Sequence, residues 1–235
     1  MKRWPCGSAP RPNFRAKREG LMPEIISTTV YRLSELSGAA AEHARDWYRR
    51  SAPDDGWQEF AFDDFAQICA ILGVDLATHP VRLFGGGTRQ EPRIWYSGFC
   101  SQGDGACFEG RYHYASGASR AIRTHAPQDA ELHRIADGLA AIQRRNFYQL
   151  TAGIRHEGRY YHKYTMAIAV ERESATMQIM TLGAEDVVIE LLRDLARWLY
   201  RQLEQEYWYQ LSDAVVDEAI LANEYSFTED GACFP

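Results

Sequence analysis

Between Leu150 and Val170 two arms carry apolar residues on alternate positions, and this alternation restricts the chain more than any other feature. Leu150, Ala152 and Ile154 form the apolar set of a first arm; Tyr160, His162, Tyr164, Met166, Ile168 and Val170 form that of a second. A period of two places such side chains on one face of a pleated strand. Cross-strand partners share a face, so the pattern predicts an antiparallel hairpin with Ile154 opposite His162 and Leu150 opposite Met166. That register leaves a short turn at Glu157-Gly158-Arg159, where Gly158 is able to take φ > 0.

A second aromatic-rich stretch, "RIWYSGFCSQGDGACFEGRYHY" at 93–114, repeats the pattern. Trp95, Ser97 and Phe99 alternate on one arm, and Ala106, Phe108, Gly110, Tyr112 and Tyr114 on the other. Sharing a face would put Phe99 opposite Ala106 or Phe108. Gln102-Gly103-Asp104-Gly105 then lies in or beside the turn, which Gly and Asp suit because they tolerate positive φ. The alternative reading makes Asp104, with Glu109, Arg111 and His113, a polar site in which Asp104 is a general base or an acidic contact. No nucleophile stands beside Asp104 at a motif spacing. Cys100 and Cys107 flank the turn, either as a cross-strand pair or as two reduced thiols.

Around these hairpins the sequence predicts helices. A strand over 24–32 leads to Ser34 as N-cap of a helix to about Arg50. Phe62, Phe65, Ile68, Cys69 and Leu72 have helical spacing over 58–72, with Gly73 closing the helix. Residues 74–87 read as extended. "FGGGTRQEP" lacks the phosphate-binding pattern GxxxxGK[ST] and the helix that should follow it, so it reads as a flexible link between strands. A short helix follows in "GASRAIRTHAP". Another spans 129–146, with Leu132, Ile135, Leu139 and Ile142 in one stripe. A long helix covers 185–210, its acids Glu185 and Asp186 suited to the dipole at its start. A last helix runs from Ser212-Asp213 to Asn223, and an extended acidic tail ends the chain. Together these elements predict an α+β fold in one domain, 22–235: an antiparallel sheet of about five strands built from two hairpins, with helices packed on one face.

Residues 1–21 fit none of this. They hold three prolines and no apolar periodicity, and read as a disordered tail, a basic transit segment or sequence upstream of a start at Met22. They carry six basic residues and one acid, so of the formal −6 of the whole chain about −11 falls on residues 22 onward. An acidic body disfavours nucleic acid and favours a basic protein partner. No apolar run reaches the length of a membrane span, and the five scattered cysteines form no CxxC, so a reduced, cytoplasmic protein is expected. His113, His156 and His162 have no metal-ligand spacing, so neither metal nor cofactor is expected.

The end of the long helix stands out. Tyr207, Trp208 and Tyr209 crowd around it beyond the stripe Leu192, Leu195, Leu199 and Leu203, so some aromatics must face outward or meet another chain. In the tail Tyr225 and Phe227 alternate ahead of Glu229 and Asp230. Either the tail adds an edge strand to this protein's own sheet, or it lies across a partner with its acids in a basic groove.

The segments "TTVYRLSELSGAAAEHARDWYR", "VRLFGGGTRQEPRIWYSGFCSQGDGACFEGRYHY", "APQDAELHRIADGL" and "LYRQLEQEYWYQLSDAVVDEAILANEYSFTEDG" together resemble a family of phage and prophage proteins. Its members commonly carry the label "antitoxin of toxin–antitoxin stability system". The resemblance spans nearly all of 22–235; Trp208 and Gln210 depart from it, standing where more acidic or polar residues are expected. It implies no catalytic residues. It implies a mobile-element protein that binds and neutralises another, a toxin or a host defence protein. Two other readings stay open: an enzyme using the polar hairpin residues, and a DNA-binding regulator of its own operon, which would need a basic face from Arg120, Arg123, Arg134, Arg144 and Arg145.

Overall fold

The computed structural model describes residues 27–51 and 56–234, the side chain of Ser51 excepted. Along the chain come a 3-10 turn at Leu33–Glu35 and the helices α1 (Gly38–Ser51) and α2 (Glu59–Leu72). Six short strands follow: β1 (Val74–Leu76), β2 (Thr78–Arg82), β3 (Thr88–Pro92), β4 (Ile94–Tyr96), β5 (Ala106–Phe108) and β6 (Gly110–Tyr112). Then come α3 (Ala118–His125), α4 (Ala130–Arg145), β7 (Leu150–His156), β8 (Met166–Arg172), α5 (Ala184–Gln210), α6 (Asp213–Ala222), β9 (Ser226–Phe227) and β10 (Cys233–Phe234). The fold is α+β. Its centre is an antiparallel four-stranded sheet in the order β1-β6-β7-β8, flanked by the two-stranded ribbons β2–β3, β4–β5 and β9–β10.

The alternation around Leu150 gives the sheet its buried face. Leu150, Ala152 and Ile154 of β7 and Met166 and Val170 of β8 point into the core, and Gly153, Arg155, Ala169 and Glu171 point out. Against the buried face packs the α5 stripe Leu192, Leu195, Leu199 and Leu203, all at 0% exposure. Each such Leu contributes about 1.5–3 kcal/mol by leaving water. The α4 stripe of Leu132, Ile135, Leu139 and Ile142 joins the same core. Asp129 starts α4 by accepting from Leu132 N at 2.9 Å, and its other oxygen accepts from Trp198 Nε1 at 2.6 Å, so one carboxylate caps a helix and ties it to α5.

The faces of the second hairpin are as the pattern predicts, but the register is not. Ile154 pairs with Ile168, His156 with Met166 and Leu150 with Arg172. A slip by an even number of residues leaves every side chain on its face, so alternation alone cannot fix it. The connection is the long loop 157–165, which contains a 3-10 turn at Lys163–Thr165, and Tyr160, His162 and Tyr164 belong to it rather than to a strand.

In the first hairpin even the faces change. Tyr96 pairs with Ala106 and Trp95 with Cys107, so Trp95 shares a face with Cys107 and not with Ala106 or Phe108. All three residues of β5 are buried, so burial there does not follow the period of two. Cys107 therefore faces Trp95 rather than Cys100, and both thiols are free. The second arm then leaves its ribbon, and β6 enters the main sheet between β1 and β7.

The chain ends differ as well. Part of the strand predicted over 24–32, like the segment 1–21, lies outside the described residues; from 27 on only Tyr31 makes a bridge, to Phe227. Ser34 sits inside the 3-10 turn, and α1 begins at Gly38. A second, smaller core joins Leu33, Ala41, Ala44, Val216, Ile220 and Phe227. Around it Arg45 holds Asp217 through two hydrogen bonds, and Arg49 pairs with Asp213, fixing α1 to α6.

Candidate functional site

Two loops, 97–105 between β4 and β5 and 157–165 between β7 and β8, lock onto each other. The first is tied by its own polar residues. Asp104 Oδ2 accepts from Ser101 N at 2.7 Å and from Cys100 N at 3.1 Å, and Gly103 takes φ +107. Asp104 is thus the staple of its own turn. In the second loop Thr165 Oγ1 donates to His162 O at 2.7 Å, and Tyr164 N donates to His162 Nδ1 at 3.1 Å. His162 turns the chain here and pairs with nothing across a sheet. Ser97 Oγ joins the two loops, donating to Tyr161 O and accepting from Gly105 N, each at 3.2 Å.

This junction sets loop 97–105 beside α5 and builds an aromatic cluster there. Phe99 lies at its centre, with ring centroids 4.9 Å from Tyr207, 5.4 Å from Tyr200, 5.8 Å from Tyr96 and 6.1 Å from Trp57. Such pairs contribute about 0.5–1.5 kcal/mol each beyond their burial, so the surface is rigid. The Tyr200 hydroxyl donates to Gly98 O at 3.0 Å. Burial, reinforced by the negative charges of Glu204 and Asp104, pushes that phenol up to about 12, which keeps it a protonated donor.

Two cavities flank Asp104. One, of about 480 Å³, lies between the two loops and α5 and is lined by His162, Lys163, Tyr164, Arg197 and Tyr200. The other, of about 460 Å³, is lined by Trp57, Tyr96, Phe99, Cys100 and Tyr207. The structure thereby joins two features that are separate in sequence, the Asp104 turn and the end of the long helix. Trp57, absent from the sequence reading, is part of the cluster; no periodicity or motif ties it to residues over a hundred positions away.

Of the residues expected to bind a partner, Tyr207 is half-buried and packed in the cluster, edge-on to Trp208 at 5.3 Å. Trp208 and Tyr209 are 52% and 60% exposed. The tail residues are placed otherwise. Phe227 is fully buried in the smaller core and cannot meet a partner, a correction to the expected contact set. Tyr225 packs edge-on against Trp47 at 5.1 Å. Glu229 and Asp230 remain exposed at the turn between β9 and β10, where the Asp230 carbonyl engages His43. The tail therefore docks on its own chain, because its apolar residues complete a core that α1 and α6 leave open.

Asp104, Glu109, Arg111 and His113 do not converge. Glu109 accepts from Arg93 at 2.7 Å and from His156 N at 3.0 Å, Arg111 donates to Glu173 at 2.8 Å, and His113 lies 3.4 Å from Asp75. None of five cavities lined by described residues holds two of the four. Of the arginines a DNA-binding face would need, Arg123 is bound to Asp137 and Arg134 to Asp194. Among the described residues no three His, Cys, Asp or Glu side chains are grouped to hold a metal ion, and no helix is long and apolar enough to cross a membrane.

The model of a family described as a domain of unknown function, DUF8835, matches residues 57–213. That is more than half of the chain, which therefore belongs to this family. The matched span holds the main core and the aromatic cluster and leaves α1, most of α6 and the tail outside. Neither a curated protein nor a solved structure matches the chain.

Proposed function

We propose that this DUF8835 protein acts by binding another protein, as an antitoxin or an inhibitor of a defence enzyme does, and that the end of α5 is its contact surface. One observation carries the reading: Trp208 and Tyr209 stand exposed on a helix end whose preceding residue, Tyr207, is fixed in a rigid aromatic cluster. Pre-organised aromatic anchors lose little entropy on binding and supply most of the energy at protein interfaces. Glu204 and Glu206 lie on the same helix end, on a body carrying about −11. Acidic rims steer basic partners, so the partner is a basic protein and association is salt-sensitive. The likeness in sequence to phage proteins labelled antitoxins accords with this reading.

The test is affinity capture from the native host with the full chain and with a Trp208→Ala, Tyr209→Ala variant. One basic protein should be recovered by the first, less of it at high salt, and not by the second. Equal recovery by both would remove this surface from the mechanism. Recovery of no protein, with turnover of a small molecule, would replace the binding reading with an enzymatic one.

A further inference from the structure

At the other end of α5, about 36 Å from Trp208 along the helix, two more loops meet. One joins α4 to β7, and the other, 173–183, joins β8 to α5. Fully buried Asn146 links them: its amide nitrogen donates to Thr181 Oγ1 at 3.0 Å, and its oxygen accepts from Thr181 N at 2.8 Å. Arg172 adds a second clasp. It donates to the side chains of Gln149 and Gln178 and to Ile179 O, and its guanidinium lies 5.4 Å from the centre of the Phe147 ring.

Loops held this firmly keep their apolar side chains in water. Phe147 is 69% exposed, Ile179 88%, Met177 91% and Leu182 100%, with Tyr148 and Val187 exposed beside them. Phe147, Tyr148 and Met177 hold φ of +57, +61 and +53, a left-handed conformation that bulky residues avoid. Among the described residues only one other non-glycine residue, Glu224, shares it. Strained backbone, buried polar clasps and six outward apolar side chains coincide in one patch, as they do where a surface is built to be covered.

The charges of the patch point to what covers it. Arg144 and Arg145 lie in the last turn of α4, and Glu185 and Asp186 in the first turn of α5. All four are exposed, and none has an ion-pair partner among the described residues. A membrane or nucleic acid would call for a net positive rim. These four side chains balance, one pair of each sign on separate helices, with Arg172 held in its own clasp between the loops, and such an arrangement complements itself on rotation about a twofold axis. Over the rest of the acidic body two copies would repel. A stable dimer buries on the order of 800 Å² per copy, and six large side chains this exposed are of that order.

We infer that this patch is the contact between two copies of the chain, with Arg144 and Arg145 of one protomer facing Glu185 and Asp186 of the other. The inference does not depend on the partner surface at the far end of α5, which the dimer leaves free in both copies.

The test is the mass of the full chain in solution by light scattering, over a concentration series. A two-chain mass is expected, falling to one chain in an Ile179→Glu, Leu182→Glu variant whose circular dichroism spectrum is unchanged. Charge reversal adds a readout that no folding defect can mimic. Arg144→Glu with Arg145→Glu makes the rim wholly acidic; Glu185→Arg with Asp186→Arg makes it wholly basic. Each variant alone should be monomeric, and an equimolar mixture should regain the two-chain mass. A single-chain mass for the wild type at every concentration, a dimer that survives the apolar variant, or reversed variants that do not recombine would overturn the inference. So would a monomer in which a Leu182→Cys thiol resists labelling, since the patch would then be covered by this chain's own residues.

Discussion

Gly105 approaches His162 so closely that a Cβ on Gly105 would lie 2.6 Å from His162 Cβ and 2.9 Å from its Cα. Neither atom can move without the backbone of loop 157–165. Gly105→Ala should therefore cost about 2 kcal/mol, as overpacked sites do. Gly103→Ala has open space but a positive φ and should cost about 1 kcal/mol. Thermal melts of both variants check the order; a harmless Gly105→Ala would mean that the two loops do not interlock.

Asp104→Asn should be mild, because an amide oxygen can still accept from Ser101 N and Cys100 N. Asp104→Ala removes the oxygen that accepts both bonds and should cost about 1–2 kcal/mol, measured by urea unfolding. Loss of partner capture in Asp104→Asn with stability intact would make Asp104 part of the contact surface.

Gln143 is fully buried, donating to Leu150 O at 2.7 Å and accepting from Leu150 N at 3.1 Å. Gln143→Ala strands both backbone groups away from water and should cost about 2–4 kcal/mol in urea unfolding. A loss below about 1 kcal/mol would show that water reaches Leu150.

How much of this was readable in sequence can be seen by comparing α4 with the first hairpin. The α4 stripe is local: four apolar residues at helical spacing fix both the helix and its buried face. The pairing of Tyr96 with Ala106 is not local. It depends on loop 97–105 closing over loop 157–165, and no residue of the first hairpin encodes where Tyr161 and His162 will lie. Phe227 shows the same limit. Its alternation with Tyr225 describes a strand, but whether that strand covers this chain or another depends on the gap between α1 and α6. Trp208 and Tyr209 were visible as candidates because a helix end ringed with aromatics cannot bury all of them.

Acid should weaken the fold in a defined range. Burial alone would raise the Glu109 carboxyl, but the Arg93 guanidinium and the His156 N–H together hold it below its ordinary value of 4.5. Hydrogen bonds from Arg123 lower Asp137 and those from Arg45 lower Asp217, against partial desolvation. A carboxyl with a depressed folded pKa stabilises above its unfolded pKa, and that stability is lost as pH falls through the folded value. The melting temperature should hold from about pH 7 to 5 and fall below about 4. The fall should be shallower in Glu109→Gln, and an identical pH profile for the two proteins would contradict the role given to Glu109.

The measurement closest to the central claim is the affinity of the captured partner for the full chain and for Trp208→Ala, by titration calorimetry at low and high salt. Removing a hot-spot aromatic costs about 2 kcal/mol or more, so Kd should rise at least about 30-fold. Wild-type binding should weaken with salt, and the variant should keep the same salt dependence, because the acidic rim is intact. An unchanged Kd in Trp208→Ala would contradict the account and place the partner elsewhere on the molecule.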